Sequence, residues 1–310
     1  MLTKLKLHIK QSKPFILIVN TSKQLVVPGF DGMALYEVIR FFIQSLKKGA
    51  ILIRASSLAF NYILALFPGI IFLFTLIPYI PIDNFQEELL MLLEEIMPKN
   101  AYETISTTVE DLVIQRRGGL LSLGFIMALF FATNGVNSMI NAFNTSYKTA
   151  PRSALMQRLI ALLLTVILSS LLITAILLII FSELAMDFLI HKGLLNIDIT
   201  YFLLIIGKWV TILALIFSAI SFLYYLGPSK ESRWRFISAG STLATMLTIV
   251  TSLGFSYFVN NFGQYNKLYG SIGTLMVIML WLHFNSAILL IGFELNVSID
   301  KAKADRPVSS

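Results

Sequence analysis

Charge is scarce in this chain, and cysteine is missing. Of the 310 residues, 13% are charged and 56% are hydrophobic. A water-facing surface needs about twice that share of charge, so the composition argues against a soluble domain. The lack of cysteine excludes disulfide staples, thiolate metal sites and thiol nucleophiles. The three histidines, His8, His191 and His283, are scattered. No histidine–carboxylate cluster has metal-ligand spacing, and no nucleophile–base constellation stands out. The sequence therefore predicts no enzyme, metal or cofactor. A cleavable signal peptide is not expected either, because the apolar run Phe15–Val19 is short and ends at Asn20.

What the chain has instead is long apolar runs. Six are long enough to cross a hydrocarbon core of about 30 Å, near residues 51–80, 120–141, 159–181, 202–226, 236–259 and 272–295. The expected fold is all-α: a six-helix transmembrane bundle with a cytoplasmic interfacial N-terminal helix and short external helices between spans one and two. The expected parts are a cytoplasmic segment 1–50, a membrane domain 51–296 with an external insertion near 82–117, and a cytoplasmic tail 297–310.

The charges alternate along this frame. Residues 1–54 carry nine Lys/Arg against two acids, whereas 82–117 carry eight acids against three bases. Lys148, Arg152 and Arg158 follow span two, and Lys230, Arg233 and Arg235 follow span four. Basic loops stay in the cytoplasm, so both termini are expected on the cytoplasmic side of the membrane. The net charge of +7 thus reads as membrane topology rather than as a nucleic-acid surface.

Residues 31–48 place Leu35, Val38, Ile39, Phe42 and Leu46 on one helical face. Asp31 suits the start of this helix, and Lys47 and Lys48 suit its end. It is expected to lie on the cytoplasmic membrane surface. Span one is overlong, at about 45 Å if straight, and Pro68 predicts a kink.

Polar residues within apolar spans are the candidate functional groups. Asn134, Asn137, Asn141 and Asn144 share one face of span two, either lining a cavity or bonding to another helix. Gly240, Ala244, Thr248, Ser252 and Ser256 form a small-residue ladder on span five that allows close helix packing. Arg54 and Glu294 fall near the same membrane face, where they either pair across the first and last spans or each snorkel separately to the interface. Asn61 adds a polar group to span one. Between spans five and six, YFVNNFGQYNKLYGSIG is either an ordinary turn or a partly re-entrant segment. There Asn266, Lys267, Tyr269 and Gly270 are the candidates for meeting a substrate.

The longer stretch GFSYFVNNFGQYNKLYGSIGTLMVIMLWLHFNSAILLIGFELN resembles the signature of the YihY/virulence factor BrkB family. The matching features are Tyr265–Ser271 with Gly273, Trp281, and Gly292, Glu294 and Asn296. RASSLAFNYILALFPGIIF, YYLGPSKESRWRFISAG and Asn141–Tyr147 are similar to other family segments, so the resemblance covers roughly residues 35–300. His283-Phe284-Asn285 depart from the family's more apolar pattern. The resemblance implies a multi-pass bacterial membrane protein without an established biochemical activity. The ribonuclease label that some members once carried is regarded as a misassignment. The expected partners are the lipid bilayer and an anionic lipid or small-molecule substrate. Transport or export of a small or lipid-like substrate is the leading expectation. The alternative is an envelope scaffold that binds another envelope protein.

Overall fold

A computed structural model describes residues 21–27, 29–48, 50–79, 90–91, 111, 114, 116–147, 152–191, 197–229, 236–261 and 271–305. Most of the expected external insertion, and the turn 262–270, lie outside them. The main helices are α1 (Leu35–Lys48), α2 (Ile51–Leu76), α3 (Gly118–Tyr147), α4 (Ala154–His191), α5 (Ile197–Leu226), α6 (Ala239–Asn261) and α7 (Ser271–Ala304). Six of them, α2 to α7, are long and apolar enough to cross a membrane. No strand occurs among the described residues beyond a single bridge between Val26 and Ala34. The chain is a multi-pass membrane protein.

The helices form where unbroken apolar sequence leaves the backbone no partner but itself. α2 runs through the buried Pro68 and tightens into a 3-10 turn, Ile77–Tyr79. Consecutive spans pack side by side, and α7 returns to α2, so the six close into a ring. α7 also touches α3 and α1.

Two expected boundaries shift. α7 continues to Ala304, so the expected tail begins as helix. Asp31 does not cap α1. It lies in a left-handed turn (φ 56°) between Gly29 and Gly32, with its carboxylate 3.8 Å from Lys303 Nζ. That turn brings Ala34 beside Val26 and delivers Met33 and Val38 into a small core with Leu295, Ile299 and Ala302 of α7. The apolar stripe of α1 is therefore divided. Val38 packs against protein, while Ile39 and Ile43 stay exposed and suit a membrane surface.

The main core lies towards the end of the bundle that carries the α3–α4 and α5–α6 connections, here called the base. In α4, Gln157, Ala161, Leu164 and Thr165 are buried, but nothing in Val166–Ile179 is. α5 has no buried residue in Ile205–Ala219, and α6 has none in Met246–Val259. At the far end, among the described residues, α2 and α3 stay tightly apposed. There the Gly124 backbone lies against Phe72, and Arg116 Nε donates to the Pro78 carbonyl at 3.2 Å.

Candidate functional site

The base is built from residues that the apolar sequence around them would be expected to reject. Arg54 enters from the first turn of α2. Its Nη1 donates to the Ala142 carbonyl and to Ser146 Oγ, each at 2.8 Å, and its Nη2 donates to Glu294 Oε1 at 2.9 Å. Ser146 Oγ in turn donates to the same carboxylate oxygen at 2.6 Å. One arginine, one serine and one glutamate thus join α2, α3 and α7. Glu294 is only 2% exposed. Removing one partner of such a buried pair costs about 3–5 kcal/mol, because the other charge is left uncompensated. Arg54 Nε is buried without a partner.

An aromatic layer packs beside this ionic one. Phe143 stacks on Phe293 with ring centroids 4.1 Å apart, and Tyr224 and Tyr147 meet Phe293 edge-on. Tyr224 Oη donates to the Leu289 carbonyl at 2.7 Å. Closer to the helix ends, Tyr147 Oη donates to Asp300 Oδ2 at 2.7 Å, and Lys301 Nζ reaches the Ser146 carbonyl at 3.4 Å.

α6 and α7 meet with almost no space between them. A Cβ added at Gly240 would lie 2.2 Å from the Gly292 carbonyl oxygen, and one added at Gly292 would lie 2.7 Å from the Gly240 oxygen. Asn296 Oδ1 accepts from the Gly240 N–H at 2.8 Å, and its Nδ2 donates to Ser238 Oγ at 3.0 Å. Ser238 is the N-cap of α6 and accepts from the Ser241 N–H at 3.0 Å. The small-residue ladder is therefore a packing seam at its first two rungs, Gly240 and Ala244. It loosens beyond them, and Ser256 is exposed.

The asparagine strip faces away from this centre. Leu123, Met127, Phe130, Asn134, Asn137 and Asn141 recur every three to four residues on one side of α3, whereas Met139, Phe143 and Ser146 lie buried on the opposite side. The strip borders α4. Gln157 Nε2 donates to Asn137 Oδ1 at 2.7 Å and to Asn141 Oδ1 at 2.8 Å. Arg158 Nη1 donates to Asn134 Oδ1. Asn144 accepts from the Ser229 N–H at 2.7 Å. Arg152 closes the same corner by donating to the Leu226 and Gly227 carbonyls at 3.2 and 3.1 Å, which caps the end of α5.

Arg54 and Glu294 thus come together, while Asn134, Asn137 and Asn141 form a separate seam. Asn61 lies two turns beyond Arg54 on the same face of α2, half-buried, with Nδ2 donating to its own helix at the Ser57 carbonyl. Asn266, Lys267, Tyr269 and Gly270 lie outside the described residues. Sequence reasoning missed Ser146 and Gln157. The signal for Gln157 was a lone amide one turn into an apolar run. Ser146 carried none, since a serine near a helix end is commonplace. Among the described residues no group of three or more His, Asp or Glu could hold a metal ion.

Comparison with known proteins adds a lineage to this geometry. The family profile described as virulence factor BrkB matches residues 42–309. The ribonuclease-like protein YfkH of Bacillus subtilis is 32% identical over 258 residues, which is 81% of this chain and 90% of its own length. Two UPF0761 membrane proteins match shorter stretches. That of Tolumonas auensis is 31% identical over 84 residues, 27% of this chain and 28% of its own. That of Aliivibrio salmonicida is 32% identical over 94 residues, 30% of each chain. No solved structure matches.

Proposed function

The chain belongs to the virulence factor BrkB family, and from that premise we propose that it moves a small or lipid-like substrate across a bacterial inner membrane. The observation that carries this reading is the one-sided packing of the ring. Arg54, Glu294 and Ser146 hold the base shut, and among the described residues Val166–Ile179 of α4, Ile205–Ala219 of α5 and Met246–Val259 of α6 none is fully buried. A bundle closed at one end and loose at the other has the form required for access from one side at a time. The ion pair then acts as the inner gate, and Asn61 is the polar group just beyond it. The basic residues at the base support a cytoplasmic position for it and for both termini.

This reading is not enzymatic. Arg54, Ser146 and Glu294 bond to one another in a structural cluster rather than presenting a nucleophile beside a base. A second reading, an envelope scaffold, draws support from the asparagine strip, whose amide oxygens bond to neighbouring elements rather than lining the ring.

A single cysteine at Asn61, in a chain that has none, separates the two. Transport requires Asn61→Cys to react with a membrane-impermeant thiol reagent added from the side opposite the termini, while Asn137→Cys in the seam reacts from neither side. Silence at Asn61 from both sides would abandon transport in favour of the scaffold.

A further inference from the structure

The α3–α4 seam has a chemistry that neither reading uses. Its hydrogen bonds consume acceptors and leave donors. Gln157 takes the side-chain oxygens of Asn137 and Asn141, and Arg158 takes that of Asn134. Because a guanidinium can only donate, the Asn134 amide must turn its oxygen to Arg158 and its NH₂ away. What remains is a row of amide N–H groups beside an exposed guanidinium, and Asn141 is itself exposed.

Position makes this row unusual. α3 has 30 residues and a length of about 45 Å, against a hydrocarbon core of about 30 Å. Asn141, six residues before the helix end, therefore sits near the hydrocarbon boundary. Asn134 lies two turns deeper, on the side that carries Phe130, Met127 and Leu123, all exposed. Arg158 is bonded to that deeper residue, and no carboxylate among the described residues forms an ion pair with it. An uncompensated charge at this depth is costly. A phosphate group would both neutralise it and accept from the amide row.

We propose that the α3–α4 seam is a binding site for the phosphate of an anionic phospholipid from the leaflet at the base. Arg158 is its charged anchor, and Asn134 and Asn141 supply donors. The lipid chains lie along Phe130, Met127 and Leu123.

The test uses the full chain in nanodiscs of equal phosphatidylglycerol and phosphatidylcholine, extracted gently and analysed by native mass spectrometry. The wild type is expected to retain phosphatidylglycerol in preference to phosphatidylcholine. Arg158→Gln should lower that preference about fivefold, and Asn141→Leu should lower it less. Arg40→Gln, at an exposed position on α1, should leave it unchanged. Helical circular dichroism and a monodisperse elution profile would establish that each variant is folded. If folded Arg158→Gln keeps the wild-type preference, the proposal is overturned. It is equally overturned if inorganic phosphate alone strips the retained lipid, since the site would then take a free anion.

Discussion

The two ends of the same ring are held by different physics. At the base, each contact is specific: an arginine shared by α3 and α7, a stacked aromatic pair, an asparagine capping α6, two glycines in backbone contact. Away from the base, α4, α5 and α6 leave more than half of Leu172, Val210 and Leu253 exposed, and no buried polar bond ties them together among the described residues. Lipid tails are as apolar as leucine, so apolar side chains alone give membrane helices little reason to associate. Small residues and polar pairs give that reason, and they are concentrated at one end. Closure follows the distribution of those residues, while overall hydropathy only places the helices in the bilayer.

If so, substitutions at the base should cost much more than similar ones beyond it. The largest effect belongs to the buried pair. Glu294→Gln leaves Arg54 short of its counter-charge and should destabilise by about 3–5 kcal/mol, read as loss of folded protein in detergent thermal melts. Arg54→Glu combined with Glu294→Arg should recover part of that loss. No recovery would mean that Ser146 and the Ala142 carbonyl, rather than the ion pair, set the energetics. Next is Gly240→Ala, whose new methyl would collide with the Gly292 carbonyl oxygen and Asn296. Overpacking of this kind costs about 3 kcal/mol. Gly254→Ala, on the same helix with open space around it, should be neutral or slightly stabilising, because alanine is the better helix former. Equal losses at both glycines would erase the contrast between the ends.

Smaller effects sharpen the picture. Gln157→Leu removes two interhelical bonds, each worth about 0.6 kcal/mol in a membrane, and should lower the melting temperature modestly without unfolding the chain. At the α1–α2 junction, Ala50 adopts φ 45°, a left-handed conformation that costs a non-glycine residue about 1–2 kcal/mol. Ala50→Gly should relieve part of this strain and raise the melting temperature slightly. A fall instead would mean that the Ala50 methyl makes a contact worth more than the strain.

Much of this architecture was legible in the sequence, for reasons that the residues make plain. The six spans could be read because hydrocarbon demands unbroken apolar length, and the pairing of Arg54 with Glu294 because two charges at the same depth have few alternatives. The asparagine strip was harder. Periodicity placed Asn134, Asn137, Asn141 and Asn144 on one face, but only the partners Gln157, Arg158 and Ser229 show that this face borders α4 and the end of α5 rather than the ring's centre. Asp31 looked like a cap because of its chemistry. The turn Gly29–Gly32 instead folds it towards Lys303 and lets the segment dock on α7, a tertiary contact that no local pattern announces. The length of α7 was underestimated because Asn296, Asp300, Lys301 and Lys303 look like the end of a span. They instead continue the helix and bond it to α6, to the end of α3 and to the turn before α1.

The most direct test of one-sided closure is hydrogen–deuterium exchange at peptide resolution in nanodiscs, comparing the two halves of α5 and of α6. The account predicts that the base halves, 216–226 and 239–247, stay protected longest, and that 205–215 and 248–259 exchange markedly earlier. Equal protection along both helices would contradict it, since the ring would then be sealed from end to end.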